Sequence, residues 1–219
     1  MEHDPAGRGG ERGGVSLAAP QVVVIGGPNG AGKTTVSKTL VPKFLTLGEF
    51  VNADVIASGL SGFAPERAAF AAGRVMMTRL RELAQQRANF AFETTMASRT
   101  FVPWLRTLAA SGYEVHLVYV WLRSVALAQR RVRMRISAGG HSVPPDVIAR
   151  RYYRGLRNFL HDYTSVATTW RVYDNSGIRS QLVGMAVEGE LTIFKHAAWA
   201  SLQRKLTDED EEPSDLPEP

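Results

Sequence analysis

Residues 26–35 read Gly26-Gly27-Pro28-Asn29-Gly30-Ala31-Gly32-Lys33-Thr34-Thr35, directly after the apolar run Val22-Val23-Val24-Ile25. The spacing is G-x-x-x-x-G-K-T at the exit of a buried strand, and few folds can use it. The chain must leave a strand, turn through backbone conformations that favour glycine, and restart at once as a helix. In that geometry successive backbone N–H groups turn inward as an anion-binding nest. The helix that follows, from about Lys33 to Leu40, aims its positive end at the same anion. Lys33 reaches β- and γ-phosphates, and the Thr34 hydroxyl completes the coordination of Mg²⁺. The nucleotide-binding set is therefore Gly27, Asn29, Gly30, Ala31, Gly32, Lys33, Thr34 and Thr35, with Thr34 as the metal residue. The ligand this loop calls for is a nucleoside triphosphate.

The rest of the chain alternates strand and helix signals. Strands are expected at Gln21–Ile25, 49–51, 89–92, Val115–Leu122 and Trp170–Tyr173, with a last edge strand at Leu191–Phe194. Helices are expected from Lys33 to near Pro42, from Pro65 to Ala88, from Phe101 to a stop at Gly112, from Ser124 to Ile136, and from Pro144 to Leu160. Short connections between such elements imply a parallel sheet covered on both faces. The fold class is thus α/β, a three-layer P-loop NTPase fold with a mostly parallel sheet of five or six strands. Ligands of such sheets bind beyond the carboxyl ends of the strands. The phosphate loop, Asp54, Glu93, Thr95 and Asp174-Asn175 all fall at those ends.

Composition narrows the partners. The 219 residues contain no cysteine, which excludes disulfides and cysteine metal sites and fits a reducing cytoplasm. No apolar stretch approaches a membrane span, and the first residues lack the apolar core of a signal peptide. Residues 1–18 and 207–219 have the composition of disordered tails, leaving 19–206 as a single domain. The net charge is +5, and the last thirteen residues hold seven acidic side chains and no basic one, so the remainder carries +12. A basic body suits nucleic acid. Against that, nine arginines cluster between Arg123 and Arg157, and no aromatic stripe accompanies them. Phosphoryl chemistry is the simpler use of arginines near a phosphate loop.

A phosphate loop alone does not separate a hydrolase from a kinase. Two acidic residues stand at strand ends, Asp54 after 49–51 and Glu93 after 89–92. A kinase needs a carboxylate to orient or deprotonate the acceptor hydroxyl, and Asp54 suits that task. Glu93 reads either as a carboxylate that orders Mg²⁺ or as a structural one. Arg131 and Arg135, four residues apart, share a helix face and could neutralise the transferring phosphoryl group. The segment 124–160 has the makings of a lid hinged at Gly139-Gly140, with His141 beside the hinge as a turn residue or a catalyst. Asp174-Asn175 is a base or ribose contact or a strand-end turn.

The order GGPNGAGKTT, VNADVIA, FETT, a helix and GYEVHLVYVWL, then an Arg-rich helix and GGHSVP, resembles the zeta-toxin family of P-loop kinases, in a shorter branch described as predicted ATPases. The resemblance covers roughly residues 20–175. It implies phosphorylation of a UDP-N-acetyl amino sugar, typically UDP-N-acetylglucosamine, by ATP and Mg²⁺, often as the toxic half of a toxin–antitoxin pair. Lys33 and Thr34 match the nucleotide and metal residues, Asp54 the catalytic base, and Glu93 and Thr95 the residues that hold the sugar nucleotide. An arginine among Arg130, Arg131 and Arg135 matches the first phosphate clamp. The toxins' second clamp falls near Gly140-His141, where this chain has no arginine, and Arg150 or Arg151 stands in for it. On these grounds the catalytic set is Lys33, Asp54, Arg131 and Arg135, and a protein antitoxin is the expected partner.

Overall fold

The computed structural model describes residues 18–44, 49–61, 65–137 and 142–207. The hinge expected at Gly139-Gly140, with His141 beside it, and nearly all of both expected tails lie outside the described residues.

Two segments, each built on a continuous apolar stretch at 22–25 and 117–121, form the centre of a sheet. These are β1 (Gln21–Gly26) and β4 (Glu114–Trp121), hydrogen-bonded in parallel from Gln21↔Glu114 to Gly26↔Tyr119. Strands that read as continuous hydrophobic runs must be covered on both faces, and both are. Along β1, Val22 and Val24 enter one core and Val23 and Ile25 the other. The first core also takes Phe90, Phe92, Leu117, Tyr119 and Trp121 from the sheet. Each such large side chain, fully buried, contributes about 1.5–3 kcal/mol.

The strand order is β2-β3-β1-β4-β5-β6-β7, with β2 (Glu49–Val51), β3 (Phe90–Glu93) and β5 (Thr169–Asp174) parallel to the centre. β6 (Gln181–Val187) and β7 (Glu190–Ile193) run antiparallel. The sheet described thus has seven strands, not five or six. The added strand is β6, whose tie to β7 is a tight hairpin through Glu188 and Gly189, both at positive φ. β1 sits where the order reverses, with β3 on one side and β4 on the other, and the crevice beyond its carboxyl end is a topological switch point.

Helices cover both faces. On one lie α3 (Pro65–Gln85), α4 (Phe101–Ala110) and α7 (His196–Thr207), contributing Leu80, Leu105 and Leu202 to the first core. On the other lie α1 (Lys33–Phe44) and α5 (Val125–Ser137), contributing Val36 and Val132 to the second. α1 continues through Pro42 to Phe44 rather than stopping there. α2 (Ala53–Leu60) and α7 have no counterpart among the helices expected from sequence. α6 (Pro145–Asn158) serves both layers: Ile148 and Tyr152 pack into the second core, Leu156 into the first. A π-helical turn, Phe159–Tyr163, follows it and lets the Tyr163 hydroxyl donate to the Ser98 carbonyl at 2.7 Å. Among the described residues no helix is long and apolar enough to cross a membrane.

Candidate active site

The phosphate loop is wedged between β4 and α5. Gly27 has φ 139°, and a Cβ there would stand 2.3 Å from the Val120 carbonyl oxygen, so only glycine fits. Ala31 N donates to the Pro28 carbonyl at 3.2 Å, and Val36 N to Gly32 at 3.0 Å, which starts α1. Asn175, at the end of β5, donates Nδ2 to the Ala31 carbonyl at 2.7 Å. It therefore buttresses the loop from across the sheet. The Lys33 ammonium donates to the carbonyls of Gly27 at 2.8 Å and Pro28 at 3.1 Å. Burial lowers its pKa, while Glu93 and Asp54 favour the charged form.

Glu93 is delivered by parallel register opposite Ile25, so the end of β3 meets the start of α1. Its carboxylate accepts from Thr34 Oγ1 at 3.2 Å, Asn52 Nδ2 at 3.1 Å and Ser37 Oγ at 3.4 Å. Burial pushes its pKa up, and the Lys33 charge pulls it back. Asn52 also caps α2: its Oδ1 accepts from Asp54 N at 2.8 Å and Val55 N at 3.4 Å. One side chain thus ties Glu93 to the first turn of α2 and presents Asp54, which is exposed, over the loop. Asn52 was not singled out from the sequence, although an Asn before a helical run is an N-cap signal.

Two cavities of about 260 Å³ each meet at this point. The first is walled by Gly30, Gly32, Thr34, Thr35, Arg131 and Arg135. The second is walled by Thr94, Thr95, Met76, Phe101, Gly73 and Arg151. Asn29, Lys33, Asp54 and Glu93 line both. The structure therefore brings Lys33, Thr34, Asp54, Glu93, Thr95, Arg131 and Arg135 to one place, on the two sides of a shared wall.

The arginines separate. Arg131 is half-buried and donates Nη2 to the Ser176 carbonyl at 3.4 Å; Arg135 is exposed and faces the same cavity. Arg130, Arg133 and Arg150 are exposed and line neither cavity. Arg151 lines the second cavity, donates Nη1 to Asn29 Oδ1 at 3.4 Å, and has its charge opposed by burial and supported by Asp54. Of the two stand-ins, Arg151 is the one at the site. Asp174 lies off both cavities. It accepts from Arg123 Nε at 2.8 Å and from Ser176 N at 2.9 Å, so it organises a turn.

A parallel sheet with a phosphate loop at its switch point, adjoining cavities and a carboxylate between them defines the class: a P-loop α/β fold of the kinase kind. The chain belongs to the AAA domain family AAA_33, whose pattern matches residues 22–157. An uncharacterized protein of Haemophilus influenzae is 26% identical over 126 residues, which cover 58% of this chain and 88% of that relative. Among solved structures, the AvrRxo1-ORF1:-ORF2 complex with ATP superposes with a TM-score of 0.71 at 13% identity, over 91% of this chain and 66% of the matched chain. The same complex with sulphate ions gives 0.69 at 14% identity, over 84% of this chain and 63% of its counterpart. This chain thus spans less than two thirds of the length of those counterparts. The PezAT chromosomal toxin–antitoxin system of Streptococcus pneumoniae gives 0.55 at 17% identity, over 92% of each chain. At these identities the likeness is one of fold.

Proposed function

We propose that this chain is a kinase that moves the γ-phosphoryl group of ATP onto a hydroxyl of a small molecule. The observation that carries the reading is the second cavity. A hydrolase needs room for one water beside the phosphate, whereas here a separate 260 Å³ space with an apolar wall of Met76 and Phe101 opens onto Asp54. That is room for an organic acceptor.

In this reading the first cavity holds the triphosphate, with backbone N–H groups and Lys33 on its phosphates and Arg131 and Arg135 on its outer side. The acceptor enters the second cavity with a hydroxyl toward Asp54. Asp54 takes the hydroxyl proton as the oxygen attacks the γ-phosphorus, and the bond to the β–γ bridging oxygen breaks to release ADP. Lys33 and Arg151 flank the transferring group and offset its charge. Thr34 and Glu93 offer hard oxygen donors side by side, 3.2 Å apart, which suits Mg²⁺. When bound, Mg²⁺ would neutralise phosphate charge; Thr34 and Glu93 would hold it, with Asn52 and Ser37 orienting Glu93. Thr95, in the second cavity, is left to bind the acceptor, and Glu93 contributes there as well.

The zeta-toxin resemblance makes a sugar nucleotide, UDP-N-acetylglucosamine first, the acceptor to try. The fold shared with the PezAT toxin–antitoxin system supports a search for a protein antitoxin. Dependence on ATP supports a cytoplasmic location. The test is incubation with ATP, Mg²⁺ and a panel of sugar nucleotides, scored by mass spectrometry for a gained phosphate. Asp54→Ala should abolish transfer while leaving nucleotide binding within about twofold, and Lys33→Ala should weaken both. Full transfer by Asp54→Ala would remove Asp54 as the base.

A further inference from the structure

Along β1, Val22 and Val24 face one core, and the next residue on that face is Gly26, which has no side chain to offer. Met96 supplies the missing bulk. A Cβ on Gly26 would fall 2.6 Å from Met96 Cε and 3.1 Å from its Cγ, so the methionine rests directly on the Gly26 backbone. Met96 is fully buried, in the same core as Val22 and Val24. A flexible thioether suits so irregular a gap.

The backbone at Met96 is held against its preference. Its φ is 56°, in the left-handed region that residues with a side chain avoid. Arg87 and Glu188, the other non-glycine residues at positive φ among the described residues, are exposed and lie in turns. Such a conformation persists in the interior only where the surroundings impose it. Hydrogen bonds impose it here: Met96 N donates to Thr94 Oγ1 at 3.1 Å, and buried Asn158 donates Nδ2 to the Met96 carbonyl at 2.8 Å. Thr94 N in turn donates to the Ile25 carbonyl at 3.0 Å. The turn lets consecutive residues serve two sides, with Thr95 lining the acceptor cavity and Met96 entering the core.

These contacts form a short mechanical path. Thr95 is bonded to Met96, Met96 rests on Gly26, and Gly26 leads into Gly27, whose carbonyl accepts from the Lys33 ammonium at 2.8 Å. Asn158 ties the same point to α6, the helix whose Arg151 reaches the phosphate loop at Asn29. Donor loop, acceptor wall and α6 thus meet at one side chain. We infer that Met96 is a positioning residue for phosphoryl transfer: its side chain, seated on Gly26, fixes the acceptor wall at Thr95 relative to the phosphate loop. The inference rests on the second cavity being the acceptor's. Without the side chain both sites still bind, but the hydroxyl and the γ-phosphorus lose alignment, and a 1 Å misplacement costs on the order of 100-fold in rate.

The test uses the full chain. Met96→Gly removes the side chain and keeps the φ, which glycine adopts freely. Met96→Leu returns a similar volume. Leu202→Ala, in the same core on α7 and off both cavities, controls for lost packing. With ATP, Mg²⁺ and UDP-N-acetylglucosamine as the acceptor probe, Met96→Gly should lower kcat by about 30-fold or more and leave both KM values within about threefold. Met96→Leu should recover kcat to within about fivefold of wild type. Leu202→Ala should melt lower yet keep kcat within about threefold. A second readout needs no acceptor. Hydrogen exchange in the 94–98 segment, followed by mass spectrometry, should slow about fivefold when a non-hydrolysable ATP analogue with Mg²⁺ fills the wild type, and less than about twofold in Met96→Gly at equal occupancy. Equal slowing in the two proteins, no slowing in the wild type despite bound analogue, or a kcat loss in Leu202→Ala matching that of Met96→Gly overturns the inference. Wild type that leaves the probe unphosphorylated strikes that acceptor, and hydrogen exchange then decides the inference. An analogue that does not bind the wild type strikes the kinase reading and this inference with it.

Discussion

Gly155→Ala is a one-carbon change that should separate stability from activity. A Cβ at Gly155 would lie 2.5 Å from the Thr95 carbonyl oxygen, whereas a relaxed C···O contact is about 3.3 Å. Something must therefore move by about 0.8 Å. The loop is held to the sheet, where Thr94 N donates to the Ile25 carbonyl at 3.0 Å, whereas its bonds to Asn158 and Tyr163 run to α6 and the turn after it and move with the helix. The helix yields instead, and Arg151, one turn earlier on the same face, moves with it away from Asn29 and Asp54. In stability, alanine gains about 1 kcal/mol of helix propensity, and the overlap costs about 1–3 kcal/mol. The net loss is about 0–2 kcal/mol, or at most about 8 °C in melting temperature for a chain of this size. In catalysis, a displacement near 1 Å costs on the order of 100-fold. Thermal melting by circular dichroism and kcat/KM toward the acceptor, measured on the same preparation, are the assay. Nucleotide affinity should change far less than kcat/KM, because the phosphate loop loses only the Arg151–Asn29 contact. A variant that melts as the wild type does and keeps kcat/KM within threefold would refute the claim that this close approach aligns the site.

Two further glycines, Gly59 on α2 and Gly73 on α3, have open space where a Cβ would stand, with nothing within 4 Å of it. Gly59→Ala should raise stability by about 0.5–1 kcal/mol with no change in activity; Gly73→Ala should stabilise similarly but raise the acceptor KM alone, since Gly73 lines the second cavity. Glu93→Gln should weaken nucleotide binding about tenfold with Mg²⁺ present and leave it unchanged in a chelator, on the order expected for a lost charged contact; a rise in acceptor KM with Mg²⁺-nucleotide affinity intact would assign Glu93 to the acceptor instead. His116 is pushed below its ordinary value of 6.5 chiefly by burial, against the pull of Glu114. The unfolded chain then binds the proton more readily than the folded one, so this residue's contribution to stability falls as pH drops below about 6.5. Urea midpoints at pH 7.5 and 5.5 should therefore fall further for wild type than for His116→Gln, and parallel falls would contradict the sign.

Much of the site was legible because its physics is local. A glycine-rich turn after an apolar strand needs no distant contact to be read, and neither does a carboxylate at a strand's carboxyl end. Hence Lys33, Thr34, Asp54 and Glu93 stand where the chain alone puts them. Elements with weak local signals were harder. α2 is short and contains a glycine, and β6 is recognised only through its pairing with β5 and β7; α7 does carry a stripe, Trp199, Leu202 and Leu206, which was not singled out from the sequence.

Pairings across long separations were decided by the tertiary structure. Thr34 meets Glu93, 59 residues away, because β3 lies beside β1; Asn29 meets Arg151, 122 residues away, because α6 spans both layers. The choice of Arg151 over Arg150 is of this kind, since adjacent helix residues point about 100° apart and only docking decides which one faces inward. What the sequence alone determined is a phosphate loop and a carboxylate to face it, because those are properties of short stretches of backbone. That a second cavity adjoins the first follows only from the strand order and from one helix packed against the loop after β3.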